Sequence, residues 1–181
     1  MKRLSVQGAP FYRIEAADIR AELPKLFPAG TARYITLHWT AGGYNVPFSD
    51  YQILIGHEYI LISEDMLNWS RHQHSWRRNT GNIGISFMAM ANATERNAGP
   101  APVTKPMIEH CALVAALIVR RYALDWFALV DHAHWAALDG YPGQRWDCQW
   151  PVPWEHGEHL TDVVKRKAKW YHEKSKSLAG P

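Results

Sequence analysis

Tyr34-Ile35-Thr36-Leu37-His38-Trp39 is the stretch on which the fold turns. It is dense in β-branched and aromatic residues and Gly42-Gly43 close it, the pattern of a buried strand that delivers His38 at its tip. Asn82-Ile-Gly-Ile-Ser-Phe-Met-Ala-Met90 reads as a further strand, and Ile55 to Ile62 as a hairpin-like return bending at Gly56–Glu58. Ser49–Leu54 reads as another element. Thr104 is placed to cap a helix with Pro106 just inside it. That helix is expected to run to about Tyr122, because Met107, Cys111, Val114, Leu117, Ile118 and Tyr122 recur at helical spacing. Phe127–Val130 then forms a strand ending at Asp131-His132. Strand, helix and strand in succession predict an α/β fold, a central mixed β-sheet flanked by helices, with site residues at strand ends.

Working outward, residues 1–30 read as an N-terminal lead-in with a short helical candidate at Ala16–Leu26, interrupted by Pro24 and closed by Pro28 and Gly30. The core is expected over 31–155. Residues 156–181 form a basic helical tail, in which Lys165, Arg166, Lys167, Lys169, Lys174 and Lys176 sit beside Val163, Val164, Trp170 and Tyr171. Such a tail is either a terminal helix docked by its few apolar residues or an anchor to an anionic surface. One domain accounts for the whole, since 181 residues build one sizeable core.

The composition, 47% hydrophobic and 20% charged, is that of a globular chain rather than a disordered one. Net charge is +3, a mild excess that suits an anionic polymer and gives no footprint for nucleic acid. Two cysteines, Cys111 and Cys148, are expected as free thiols. The basic start lacks an apolar stretch of signal-peptide length, so synthesis in the cytoplasm is expected, and no stretch has the length and apolarity of a membrane span. Nine Trp and ten His are generous for a chain of this size and suit clefts that bind flat or polar ligands.

Zinc hydrolases take three protein ligands from His, Cys, Asp and Glu and leave one position for water. His38, His132 and Asp147 are of the right types, but their wide separation carries no spacing signature. His134 rivals His132, and Cys148 rivals Asp147; an extended chain would put His132 and His134 on one face and Asp147 and Cys148 on opposite faces.

Thr36-Leu-His-Trp-Thr-Ala-Gly42, Tyr51, His74-x4-Asn79-x3-Ile83-Gly-Ile85, Asp131-His132-Ala133 and Arg145-Trp-Asp147 together resemble the type 2 N-acetylmuramoyl-L-alanine amidases. That family includes phage lysozyme-like amidases and peptidoglycan recognition proteins, and the resemblance spans about Tyr34 to Trp150 in order. It implies a single amidase type 2, peptidoglycan-recognition-like domain with a zinc ion, Zn2+, held by His38, His132 and Asp147. It also implies hydrolysis of the amide joining N-acetylmuramic acid to L-alanine. Tyr51 stands where relatives place a catalytic Tyr or Glu, and Arg145 where many have Lys, either able to stabilise charge at the scissile carbonyl. Arg stays protonated, so Arg145 is an electrostatic clamp and not an acid.

His74 and Asn79 match groove-lining positions, with a turn-stabilising role open for Asn79; His134 and Trp135 are further candidates for substrate contact. Ala136 to Gln144 is longer than the linker of many relatives and is expected as a groove-bordering loop, with Trp135, Tyr141 and Trp146 offering stacking surfaces. The other six histidines, His57, His72, His110, His156, His159 and His172, read as structural.

The expected partners are peptidoglycan and muropeptides, with the tail meeting an anionic envelope and the protein monomeric. An endolysin acting on the cell wall after release is the leading setting; muropeptide recycling in the cytoplasm, an exported antibacterial effector and a non-catalytic peptidoglycan-binding module are the alternatives.

Overall fold

A computed structural model describes residues 1–94, 97–140 and 147–177, the last three as backbone alone. Strands and helices follow in the order β1 (Lys2–Val6), β2 (Ala9–Glu15), α1 (Ile19–Leu26), β3 (Tyr34–Trp39), β4 (Ile53–Ile55), β5 (Tyr59–Ser63) and β6 (Asn82–Phe87). They continue with α2 (Lys105–Tyr122), β7 (Leu129–Asp131), α3 (His132–Leu138) and α4 (Leu160–Ser177). The strands form one mixed seven-stranded sheet in the order β1-β2-β5-β4-β6-β3-β7. β4, β6, β3 and β7 run parallel to one another, and β1, β2 and β5 complete the sheet through antiparallel pairs. The protein is thus α/β with flanking helices, as its strand and helix periodicities require.

Side chains alternate along a strand, so each strand serves two environments. Ile35, Leu37 and Trp39 of β3, Ile53 and Ile55 of β4 and Ile83, Ile85 and Phe87 of β6 join the main core with residues of α1, α2 and α4. A second, smaller cluster of Val6, Ala9, Phe11, Leu54, Leu61 and Met88 lies apart from it. Thr36, His38, Gln52, Asn82 and Ser86 fall in the intervening positions, and all are fully buried. This polar side of β3, β4 and β6 is where the candidate site sits.

Residues 2–15 do not lead up to the sheet but belong to it. β1 and β2 form a hairpin on a two-residue loop, Gln7-Gly8, with φ of 47° and 83°. Positive φ at both loop positions is the twist-matched two-residue turn, and Gly8 takes it without steric cost. β2 then pairs with β5 over Phe11–Glu15. Helix structure begins at Ala16 as one 3-10 turn and continues as α1, with Pro24 inside it.

α4 packs lengthwise on α2 and buries Leu160, Val163, Val164 and Ala168 in the main core. Its cations are partly committed: Arg166 pairs with Glu155 and Glu158, and Lys167 with Glu109. Among the described residues no helix is long and apolar enough to cross a membrane. Both cysteines are free and buried.

Candidate metal centre

β3 carries His38 one residue before its end, paired in register with Ser86 of the neighbouring parallel strand. The next ligand candidate comes from the strand on the other side. Asp131 ends β7 and accepts a hydrogen bond from the His134 backbone N–H at 2.7 Å, capping α3 so that the helix starts at His132. The chain there is helical rather than extended, which separates His132 from His134: His132 is partly buried beside His38, while His134 is exposed and rests against Trp135. The imidazole planes of His38 and His132 meet at 68° with centroids 4.8 Å apart.

Asp147 arrives from a turn, not a strand. Cys148 follows it at a φ of 65°, and its thiol is buried in the main core while the Asp147 carboxylate reaches the two histidines. Asp147 Oδ2 lies 3.3 Å from His38 Nδ1 and 3.4 Å from His132 Nδ1. The backbone beyond is held by α4: the Cys148 carbonyl accepts from the Thr161 N–H at 3.1 Å, and the Thr161 hydroxyl donates to Asp131 Oδ2 at 2.9 Å. The start of α4 therefore braces both segments that bring His132 and Asp147 forward.

His38, His132 and Asp147 are a group able to hold a metal ion, with one ligand atom from each lying within 4.8 Å of the others. Tetrahedral zinc with bonds of about 2.0–2.2 Å has ligand-to-ligand edges of roughly 3.3–3.5 Å, which the two Asp147 distances match. Two imidazole nitrogens and a carboxylate oxygen make a donor set suited to zinc. The residues fit the ion.

Electrostatics agree with that reading. Burial lowers the His38 pKa, against the pull of Asp147, so the ring favours its neutral, ligating form. Burial works to raise the Asp147 carboxyl, but the imidazoles of His132 and His38 outweigh it and hold the group well below the usual carboxylate range. Tyr51 stands just before β4 with its ring 5.1 Å from that of His38. Burial, then the Asp147 and Asp50 carboxylates, push its phenol far up, so it keeps its proton.

The remaining candidates separate. His74 is not an open groove-wall residue: it is 7% exposed and sits behind His38, its Nδ1 3.0 Å from His38 Nε2. Burial, with His38 nearby, lowers its pKa well below the ordinary value, leaving it neutral. Asn79 stabilises a turn through its side-chain oxygen, which accepts from the Ser75 N–H at 2.8 Å. Trp135 is buried, its indole N–H donating to the Thr36 hydroxyl at 2.8 Å, and it reaches only a small recess shared with Trp76, His132, Ala136 and Asp139. Ala136 to Leu138, expected in a loop, complete α3, whose C-terminal Asp139 pairs with Arg78. Arg145, Tyr141 and Trp146 lie outside the described residues.

Residues not singled out in the sequence tie the centre together. Thr36 donates from its hydroxyl to Asn82 Oδ1 at 2.9 Å, and Asn82 Nδ2 donates to the Arg78 carbonyl at 2.7 Å. Gln52 donates to the Asn82 carbonyl and accepts from the Gly84 N–H at 2.7 Å. A Cβ at Gly84 would lie 2.7 Å from the His74 ring, so only glycine leaves the ring its place. The polar alternation in Thr36-Leu37-His38 and in Asn82-Ile83-Gly84 was the available signal.

Comparison with curated proteins and with solved structures gives no match in either. The family model for N-acetylmuramoyl-L-alanine amidase matches residues 28–151, more than half of the chain and the whole span from before β3 to beyond Asp147. With the α/β sheet and the ordered His38, His132 and Asp147 in that span, the chain belongs to the N-acetylmuramoyl-L-alanine amidase family.

Proposed function

We propose that this protein is a zinc-dependent amidase that hydrolyses the bond between the lactyl group of N-acetylmuramic acid and L-alanine in peptidoglycan. The family supports peptidoglycan amidase activity. The observation that carries the zinc reading is that His38, His132 and Asp147 each bring one possible ligand atom within 4.8 Å of the others, with Asp147 Oδ2 3.3 Å and 3.4 Å from the Nδ1 atoms of His38 and His132. When bound there, zinc supplies Lewis acidity for the amide carbonyl and for the attacking water.

The chain's own groups do the rest. His38 offers a ring nitrogen from the end of β3 and His132 one from the start of α3, and the braces at Asp131 and Thr161 fix the approach of His132 and Asp147. Tyr51, protonated and beside His38, donates a hydrogen bond to the carbonyl oxygen as charge develops on it. Arg145, carried over from the family resemblance alone, is assigned a fixed positive charge for the same oxygen. Water adds to the carbonyl carbon, the C–N bond breaks, and the amine of alanine leaves carrying a proton. Cell-wall lysis in an endolysin setting accompanies this reading, and the net charge of +3 suits an anionic wall polymer.

The test is mass spectrometry of peptidoglycan digested by the zinc-loaded protein and by Asp147→Ala. Free stem peptides with an alanine amino terminus, released by the native protein only, are expected. Cleavage at a sugar–sugar or peptide–peptide bond, or no cleavage with zinc bound, would overturn the assignment.

A further inference from the structure

We infer that His74 is a positioning residue that fixes the tautomer of His38, forcing its Nδ1 lone pair toward the metal position. The inference rests on the zinc reading above and deepens it. It begins from an atom that can only accept, the Asn82 carbonyl oxygen, 3.1 Å from His74 Nε2. That carbonyl suits a protonated Nε2 and repels an unprotonated one. A neutral imidazole carries one N–H, so with Nε2 protonated the Nδ1 of His74 is an acceptor.

His38 Nε2 lies 3.0 Å from that acceptor and must supply the proton between them. The Ser75 hydroxyl, 3.1 Å from the same Nδ1, rotates freely and does not reverse this order. With its proton on Nε2, neutral His38 has a bare Nδ1, and its 3.3 Å approach to Asp147 Oδ2, a second acceptor, is favourable only with a cation between the two. A backbone carbonyl in β6 thus sets the ligating face of a histidine in β3 through one intervening ring. Gln52 steadies the carbonyl by donating to it at 3.2 Å, and Gly84 makes room for the ring.

A carbonyl or carboxylate in direct contact is the usual partner of a ligating histidine, and loss of that partner commonly costs about 10–100-fold in metal affinity. The same range is expected for His74→Phe, measured as zinc affinity by competition with a chromogenic chelator. His74→Asn keeps an amide oxygen near the Nδ1 position and is expected to recover part of the loss. The decisive readout needs no variant: nitrogen NMR of the histidine rings in native protein loaded with zinc. With zinc bound, protons on Nε2 of both His38 and His74 are expected.

Ligation of zinc through His38 Nε2, or a proton on His74 Nδ1 with zinc bound, would overturn the inference. So would undiminished zinc affinity in a folded His74→Phe. Failure of the amidase reading looks different: the expected tautomers and zinc affinity would stand, but no lactyl–alanine amide would be cut.

Discussion

The two faces of β3, β4 and β6 are built from the same strands and are almost equally buried, yet they do opposite things. On one face Ile35, Leu37, Ile53, Ile83 and Ile85 disappear into the helix-covered core. On the other, Thr36, His38, Gln52 and Asn82 are sealed just as completely and bond to one another, to His74 or to backbone. Buried polar groups are costly unless paired, so the second face is stable only as a connected set. Position in the strand, by a single residue, decides whether a side chain holds the fold or prepares the chemistry.

Adjacent substitutions in β3 should separate the roles of the two faces most clearly. His38→Ala is expected to abolish zinc binding and amidase activity. Leu37→Ala should instead cost about 2–5 kcal/mol of stability, read by denaturant unfolding, with zinc binding retained in the folded fraction. Equal effects on both properties from both variants would dissolve the division of labour.

Gly84→Ala tests whether the polar face is packed as tightly as the apolar one. The added methyl meets the His74 ring at 2.7 Å, so zinc affinity should fall by about 10-fold or more through displacement of His74, a loss on the scale of broken ligand support. An unchanged affinity would mean the ring yields without consequence.

Tyr51→Phe should leave zinc affinity unchanged and lower kcat by about 10²-fold, the scale of a lost oxyanion donor. An unchanged kcat would return Tyr51 to packing alone.

The smallest effect concerns His72, buried away from the metal ligands with Nδ1 2.9 Å from the Ser49 carbonyl and Nε2 3.0 Å from the Ser63 hydroxyl. Burial lowers its pKa below the ordinary imidazole value of about 6.5. Below pH 6.5 the unfolded chain therefore takes up a proton that the folded protein resists. The contribution to stability is full above that pH and declines as pH falls toward the folded-state value. Melting temperatures of metal-free protein at pH 7.5 and 5.5 should differ less in His72→Gln than in the native chain.

Much of this was written plainly in the sequence. β3, β6 and α2 follow from long, strongly periodic runs, and His38 at the end of its strand follows from Tyr34–Trp39. The β1–β2 hairpin did not stand out, because Gln7-Gly8 lacks the asparagine or aspartate that usually marks a two-residue turn. An extended segment after β7 would put His132 and His134 on one face; Asp131 caps a helix there instead, through a local hydrogen bond that separates them. Asp147 and Cys148 do face opposite ways, but a left-handed turn at Cys148 achieves it rather than strand alternation. His74 was visible as a candidate and its place was not, since nothing local reveals that a ring will slot over Gly84 and behind His38.

One zinc ion is expected to be held where the polar face ends. Anomalous diffraction at the zinc edge from crystals grown with one equivalent of zinc tests it most directly. A single peak about 2.0–2.2 Å from His38 Nδ1, His132 Nδ1 and Asp147 Oδ2 is expected. No peak at that point, or a peak ligated by Cys148, His134 or His38 Nε2, would contradict it.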